Sequence, residues 1–262
     1  MSKLKLTTRI IPTLLLKNNG LYKGVKFQSH KYIGDPINTI KLFNEKECDE
    51  LVILDITATL ENKNPNFELL KDIASEAFMP MAYGGGLNAI EDIRTVFSLG
   101  YEKVILNTAA IINPNLIKAA AHEYGSQSIV VSVDAKKTVF NDYMIYIKSG
   151  TQKVKNYLLE HIKNIISLGA GEILLSNIDK DGCMSGYDLN LVNLVARHSS
   201  VPVIASCGAG KLDDFVQAKK NNASAVAAGS MFVYQGPHRA VLINYPPYEL
   251  LLEKLGESIE ND

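Results

Sequence analysis

The stretch M-P-M-A-Y-G-G-G at residues 79–86 comes back as V-P-V-I-A-S-C-G-A-G at residues 201–210, and E-L-V-I-L-D at 50–55 comes back as E-I-L-L-S-N at 172–177. In both halves a helical pattern follows the glycines, then a short apolar run ending in a small polar pair, Asn107-Thr108 or Gly229-Ser230. A repeat of this kind restricts the chain to architectures built from two like halves. Within each half, apolar runs of strand length alternate with amphipathic helical segments, the pattern of parallel βαβ units. Strands are expected at 9–16, 50–56, 79–83, 103–106, 130–137, 172–177, 201–206 and 223–228, with helices at 37–46, 69–77, 90–99, 115–124, 154–168, 189–196, 212–221 and 248–255. Eight βα units close a barrel, and 262 residues is a usual length for one. The expected fold is therefore an α/β (β/α)8 TIM barrel with a two-fold half-barrel repeat, a single domain over residues 1–262.

Chemistry in such a barrel belongs at the C-terminal ends of the strands. The run V-V-S-V-D-A-K-K at 130–137 reads as a buried strand ending in one carboxylate, Asp134. The other rim carboxylates are Asp55, Asp179 and Asp181. Asp134 and Asp181 are best placed for acid–base work, beside loops of phosphate-binding character. Asp55 either caps a turn or braces the rim. At the matching position after the first strand stands Leu15, with no carboxylate. The repeated glycine turns would expose backbone N–H groups able to cradle a phosphate. One set is Gly85, Gly86, Asn107 and Thr108; the other is Gly208, Gly210, Gly229 and Ser230. A two-fold repeat sets them on opposite sides of the mouth, which suits a long ligand with a phosphate at each end. A long loop rich in Gly, Lys and Asn runs from the first strand to Pro36 and reads as an active-site flap. A hairpin-like stretch follows at 139–147. At the other end of the barrel, Arg9, Glu50, Lys103 and Glu172 begin strands one, two, four and six. Charges there are commonly solvated ends or plain ion pairs, but two acids and two bases pointing along the axis also suffice to close a ring across the floor.

A formal net charge of −1 gives no reason to expect nucleic acid or an anionic membrane as partner. Three cysteines, Cys48, Cys183 and Cys207, without metal-like spacing point to a reduced, cytoplasmic chain. The five histidines are scattered, so no metal site is expected, and no cofactor. The apolar run at 10–16 is too short for a signal peptide and lacks a cleavage pattern, and no run approaches membrane-spanning length.

R-I-I-P at 9–12, G-D-P at 34–36, D-E-L-V-I-L-D-I-T-A at 49–58, Y-G-G-G, N-T-A-A, D-A-K, D-K-D-G-C-M-S-G-Y-D and I-A-S-C-G-A-G-K together resemble the cyclase subunit of imidazole glycerol phosphate synthase, the HisF family, over 9–230. The resemblance implies a lyase-type barrel in a heterodimer with a HisH-like glutaminase subunit. Ammonia enters through the floor and reacts at the rim with a doubly phosphorylated small-molecule substrate. Carried over by position, phosphate contacts fall on Gly86, Asn107, Thr108, Gly182, Gly208, Gly229 and Ser230. The flap lysine falls on Lys23 and a catalytic aspartate on Asp134. The ammonia gate falls on Arg9, Glu50, Lys103 and Glu172, and a glutaminase-docking acid on Glu102. Four features depart from the family. Its other catalytic aspartate falls on Leu15, the next loop reads N-N-G at 18–20, a glycine of the second phosphate loop is Cys207, and P-H-R-A-V-L-I-N-Y-P at 237–246 is unlike the family's end. Leucine neither takes nor gives a proton, so cyclase turnover should be low; a positioned acid–base group contributes ~10²–10⁴-fold. An intact gate with one catalytic acid gone resembles the HisF paralogues of surface-polysaccharide clusters, implicated in supplying ammonia for sugar amidation beside a third, amidotransferase protein. The alternatives are an authentic histidine-pathway cyclase and a non-catalytic adaptor that delivers ammonia.

Overall fold

A computed structural model describes residues 4–6 and 8–258. Eight parallel strands form the wall of the barrel: β1 Arg9–Lys17, β2 Leu51–Asp55, β3 Met81–Gly84, β4 Lys103–Leu106, β5 Ile129–Lys137, β6 Glu172–Asn177, β7 Val203–Ser206 and β8 Ala225–Ala228. Each pairs with the next, and β8 pairs with β1 through Ala225↔Arg9 to Ala228↔Pro12, which closes the sheet. The expected (β/α)8 barrel is present.

Closure divides the apolar side chains into two sets, because alternate residues of a strand face opposite ways. Ile11, Val52, Ala82, Ile105, Val130, Leu174, Ile204, Ala225 and Ala227, contributed by all eight strands, form a cluster of their own inside the barrel. The larger cluster packs strand residues such as Ile10, Ile53, Val131 and Leu175 against helix residues such as Ile40, Ile93, Ile162 and Phe215. Helix starts are fixed by short polar caps: Asp35, Asn66 and Asp188 each accept a backbone N–H of the first turn. The repeat is visible here too. Asp92 accepts from the Asn88 and Ala89 N–H groups after the first glycine loop, and Asp214 accepts from Gly210 and Lys211 after the second.

Two expectations need correction. The segment before Pro36 is not a loop but a hairpin, Gly20–Val25 with Gln28–Gly34, whose first strand continues the sheet by pairing Leu15↔Tyr22 and Leu16↔Leu21. Its Gly and Lys content masked a period-two burial, with Leu21 and Lys23 inward. Helix 154–168 begins only at Leu158. Residues Gln152–Tyr157 are a strand paired with Tyr143–Ile147, which lies against the extended end of β5. Val154, buried between the exposed Lys153 and Lys155, carries the alternation of a strand rather than a helix. Among the described residues no helix is long and apolar enough to cross a membrane.

Candidate active site at the barrel mouth

The C-terminal ends of the strands open into one cavity lined from both halves, by Leu15, Lys23, Gly86, Asn107, Thr108, Asp134, Asp181, Gly182, Gly208, Gly229 and Ser230 among others. Of the residues expected at the rim on phosphate or acid–base grounds, all but Gly210 and Asp179 line this single space. The ends of β3 and β4 lie across the barrel from those of β7 and β8, so the two glycine sets face each other.

Asp134 is buried at the end of β5. It accepts from Ser132 Oγ at 3.2 Å and from Asn107 Nδ2 at 3.3 Å. Burial raises its carboxyl to about 7, and the charge of Asp181 adds to this while the Ser132 and Ser176 hydroxyls oppose it. A group so placed can both hold and release a proton near neutrality. Asp181, also buried, is paired with Lys23 Nζ at 2.7 Å. Lys23 comes from the hairpin over the mouth, and the Lys26 and Phe27 N–H groups donate to Asp181 O and Oδ2 at 2.9 and 3.3 Å. The hairpin is thus latched down on the loop after β6. Leu15 lines the same cavity from β1 and offers no polar atom. Asp55 is settled as a turn cap, since its Oδ1 accepts from the Thr57 N–H and hydroxyl and from the Ala58 N–H.

The two glycine sets differ in how much of their polarity is already used. In the first, the Gly86 N–H donates to Thr59 Oγ1 at 3.2 Å and Thr108 Oγ1 accepts from the Lys148 N–H at 3.0 Å. In the second, Ser230 Oγ is buried with no hydrogen-bond partner. Thr13 Oγ1, one strand away on β1, is in the same condition. Gly229 stands between them: a Cβ there would come within 3.0 Å of Thr13 O and of Lys23 Cε. Cys207 adopts φ +70, a left-handed conformation that suits glycine.

Thr13, Ser132 and His30 are among the mouth residues that sequence reasoning missed. Thr13 and Ser132 are inward positions of β1 and β5 that period-two counting from Leu15 and Asp134 would have given. His30 reaches the mouth from the hairpin, and its imidazole is pushed down by burial, then by Lys17 and Lys23. Nothing in the sequence marks it once the segment is read as a loop.

At the floor, the four expected charges form a closed ring. Arg9 donates to both Glu50 and Glu172, and Lys103 Nζ lies 3.1 Å from Glu50 Oε1 and 2.9 Å from Glu172 Oε2. Each carboxylate meets both cations. Glu102 is exposed, with one oxygen accepting from the Met81 N–H at 2.7 Å.

Fold and mouth together define the class: a (β/α)8 barrel whose rim gathers ionisable groups and glycine turns, the layout of a barrel enzyme. Residues 9–238 match the histidine biosynthesis protein family. A Pseudomonas aeruginosa protein provisionally named imidazole glycerol phosphate synthase subunit hisF2 is 48% identical over 239 residues, 91% of this chain and 95% of that one. A Leptospira interrogans protein provisionally named as the HisF subunit is 46% identical over 246 residues, 93% and 97% of the two chains. The Streptococcus mutans imidazole glycerol phosphate synthase subunit HisF is 40% identical over 230 residues, 87% and 92% of the two. The chain belongs to the histidine biosynthesis protein family and, within it, to the HisF group of cyclase-like barrels that includes the HisF-like paralogues.

Proposed function

We propose that this chain is a HisF-type synthase subunit that receives ammonia from a glutaminase partner at the barrel floor and uses it at the phosphate-binding mouth, in amidation of a surface-polysaccharide sugar. One contrast carries the reading. The floor ring of Arg9, Glu50, Lys103 and Glu172 is complete, whereas at the mouth the position across from Asp134 is occupied by Leu15. Between floor and mouth the interior is apolar. Such a lining admits neutral ammonia and opposes ammonium, because an unpaired charge is costly in an apolar interior. At the mouth, Asp134 can manage one proton near neutrality, and the Lys23–Asp181 pair can orient an anionic ligand under the hairpin. A mechanism needing a second proton carrier on β1 has none at Leu15. That favours chemistry, or delivery, less demanding than imidazole ring closure.

Cyclase turnover with the phosphoribulosyl-formimino substrate and ammonium salt, measured for the wild type and Leu15→Asp, tests this. We expect no measurable wild-type turnover and partial recovery in the variant, since one acid–base group contributes ~10²–10⁴-fold. Near-normal wild-type turnover would overturn the reading in favour of an authentic histidine-pathway cyclase. Silence from both would move the weight to ammonia delivery to a third, amidotransferase protein.

A further inference from the structure

The segment at 237–246, which departs from the family in sequence, reaches the edge of the mouth through Arg239, which meets the lining residue Gly182. It forms a small hairpin, Tyr234–Gln235 with Ala240–Val241, directly after the short helix that Ser230 opens. The hairpin is firmly seated. The Leu242 and Asn244 N–H groups donate to Val233 O and Phe232 O at 3.0 and 2.9 Å, and the buried Tyr245 hydroxyl donates to Ile10 O at 3.2 Å. Its turn closes through the Arg239 N–H on Gly236 O at 3.1 Å, with Arg239 itself at φ +50. Left-handed backbone at an arginine is disfavoured and is kept where surrounding structure imposes it. The consequence is a fixed guanidinium: Arg239 donates to Gly182 O at 3.0 Å, and its charge lies 6.0 Å from the centre of the Tyr234 ring.

Gly182 lines the mouth cavity together with Gly208, Gly229 and Ser230. Deeper in, two buried hydroxyls, Thr13 and Ser230, have no partner. Buried polar groups in folded proteins are nearly always satisfied, so an unpaired couple facing one cavity points to a bound ligand. The nearest deep cation, Lys23, is already neutralised by Asp181 at 2.7 Å. Arg239 spends a single donor on a backbone carbonyl, out of the five that a guanidinium carries. Lys180 packs against Gly208 on the same side, its Cβ 3.3 Å from where a Gly208 side chain would begin. This end of the mouth therefore has a neutral, hydroxyl-lined inner part and a cationic outer part.

We propose that Arg239 extends the second anion subsite outward, so that it takes two linked phosphoryl groups, a diphosphate ester of the kind that joins nucleotides to activated sugars, rather than a single phosphate. The inner phosphoryl group sits on Thr13, Ser230 and the Gly229 backbone, and the outer one meets Arg239 beyond Gly182. This rests on reading the second glycine set as an anion site, and not on the ammonia chemistry.

Calorimetric titration of inorganic pyrophosphate and inorganic phosphate into the full chain tests it, using wild type, Arg239→Gln, Arg239→Lys and Ser230→Ala. Wild type should bind pyrophosphate at least about tenfold more tightly than phosphate, because charge-assisted guanidinium bonds are the strong ones. Arg239→Gln should lose about that factor for pyrophosphate while phosphate changes less than about twofold. Arg239→Lys should fall between, since lysine keeps the charge but not the fork. Ser230→Ala should weaken both anions. An unchanged pyrophosphate affinity in Arg239→Gln, or an equal loss for both anions, would overturn the proposal while leaving the single-anion reading standing. Failure of the wild type to bind either anion would overturn both. Arg239 is exposed, and a thermal unfolding curve matching wild type confirms that Arg239→Gln is folded.

Discussion

Replacing Asp134 by Asn should stabilise the protein at alkaline pH and leave it unchanged at acid pH. The Asp134 side chain is enclosed by β5, β4 and β6, and burial lifts its carboxyl to about 7. In the unfolded chain the same group titrates near ~3.9. Between those two values the folded protein holds a proton that the unfolded chain has released. Its contribution to stability is therefore full below the unfolded value and is lost as the pH rises through about 7. Each unit in that window is worth about 1.4 kcal/mol, so the two units from about pH 5 to about pH 7 set a ceiling of about 2.7 kcal/mol. The open mouth lets water relieve part of this, which leaves about 1–2 kcal/mol. Asparagine keeps the shape, its one oxygen can still accept from Asn107 while the Ser132 hydroxyl turns to accept from the amide, and it does not ionise. Urea unfolding of both proteins at about pH 5 and about pH 8.5 reads the difference, and the titration of His30 is common to both. Equal pH dependence of the two proteins would mean that Asp134 is ionised throughout and that the reasoning from its burial is wrong.

The hairpin over the mouth gives two further tests. Lys23→Met leaves Asp181 buried without its cation and should cost about 3 kcal/mol, the usual penalty for breaking a buried pair; adding Asp181→Leu should recover part of it, and a double variant weaker than the single one would refute the pairing. Gly182→Ala places a Cβ at φ +70 and 2.2 Å from Gly24 O, so the hairpin must lift. Hydrogen exchange should then accelerate at residues 20–34 while β4–β6 stay protected, and unchanged exchange there would mean that the hairpin is not held by this contact.

The barrel was legible because its interior must be apolar on both faces of each strand. That requirement writes Ile10-Ile11, Val52-Ile53 and Val130-Val131 as continuous runs, and the repeat gave their number. The mouth was legible only where the backbone itself carries the site. Gly86 and Gly208 lie at positive φ, and glycine announces such turns in sequence. Contacts made across the mouth left no such mark. Arg239 meets Gly182 at a sequence separation of 57, and Lys23 meets Asp181 at 158, with no periodicity to join them. The hairpin strands near 20–34 and 152–157 were obscured by lysines and glycines on their exposed sides, where composition says little about pairing. Cys207 shows the reverse case. Its side chain hides a glycine-type turn that the first half of the repeat displays openly at Gly85.

Leu15 changes more than the proton inventory of the mouth. On β1 the inward positions run Arg9, Ile11, Thr13 and Leu15, and Leu54 of β2 packs against the inner apolar cluster from the neighbouring strand. An aspartate at 15 would put a charge on the path beyond Thr13; leucine keeps that level apolar. Under the proposed reading, ammonia admitted at the floor stays neutral until it meets an acid or water, so a longer apolar path keeps it nucleophilic further along its way. Leu15→Asp would therefore alter two properties together, supplying an acid–base group and wetting the path. Leu15→Asn separates them, because it brings polarity without a titratable proton. If turnover of the phosphoribulosyl-formimino substrate recovers in Leu15→Asp and not in Leu15→Asn, the loss at this position was a loss of acid–base chemistry. Equal recovery in both would show that access of water or substrate to the mouth, rather than proton transfer, is what leucine had withdrawn.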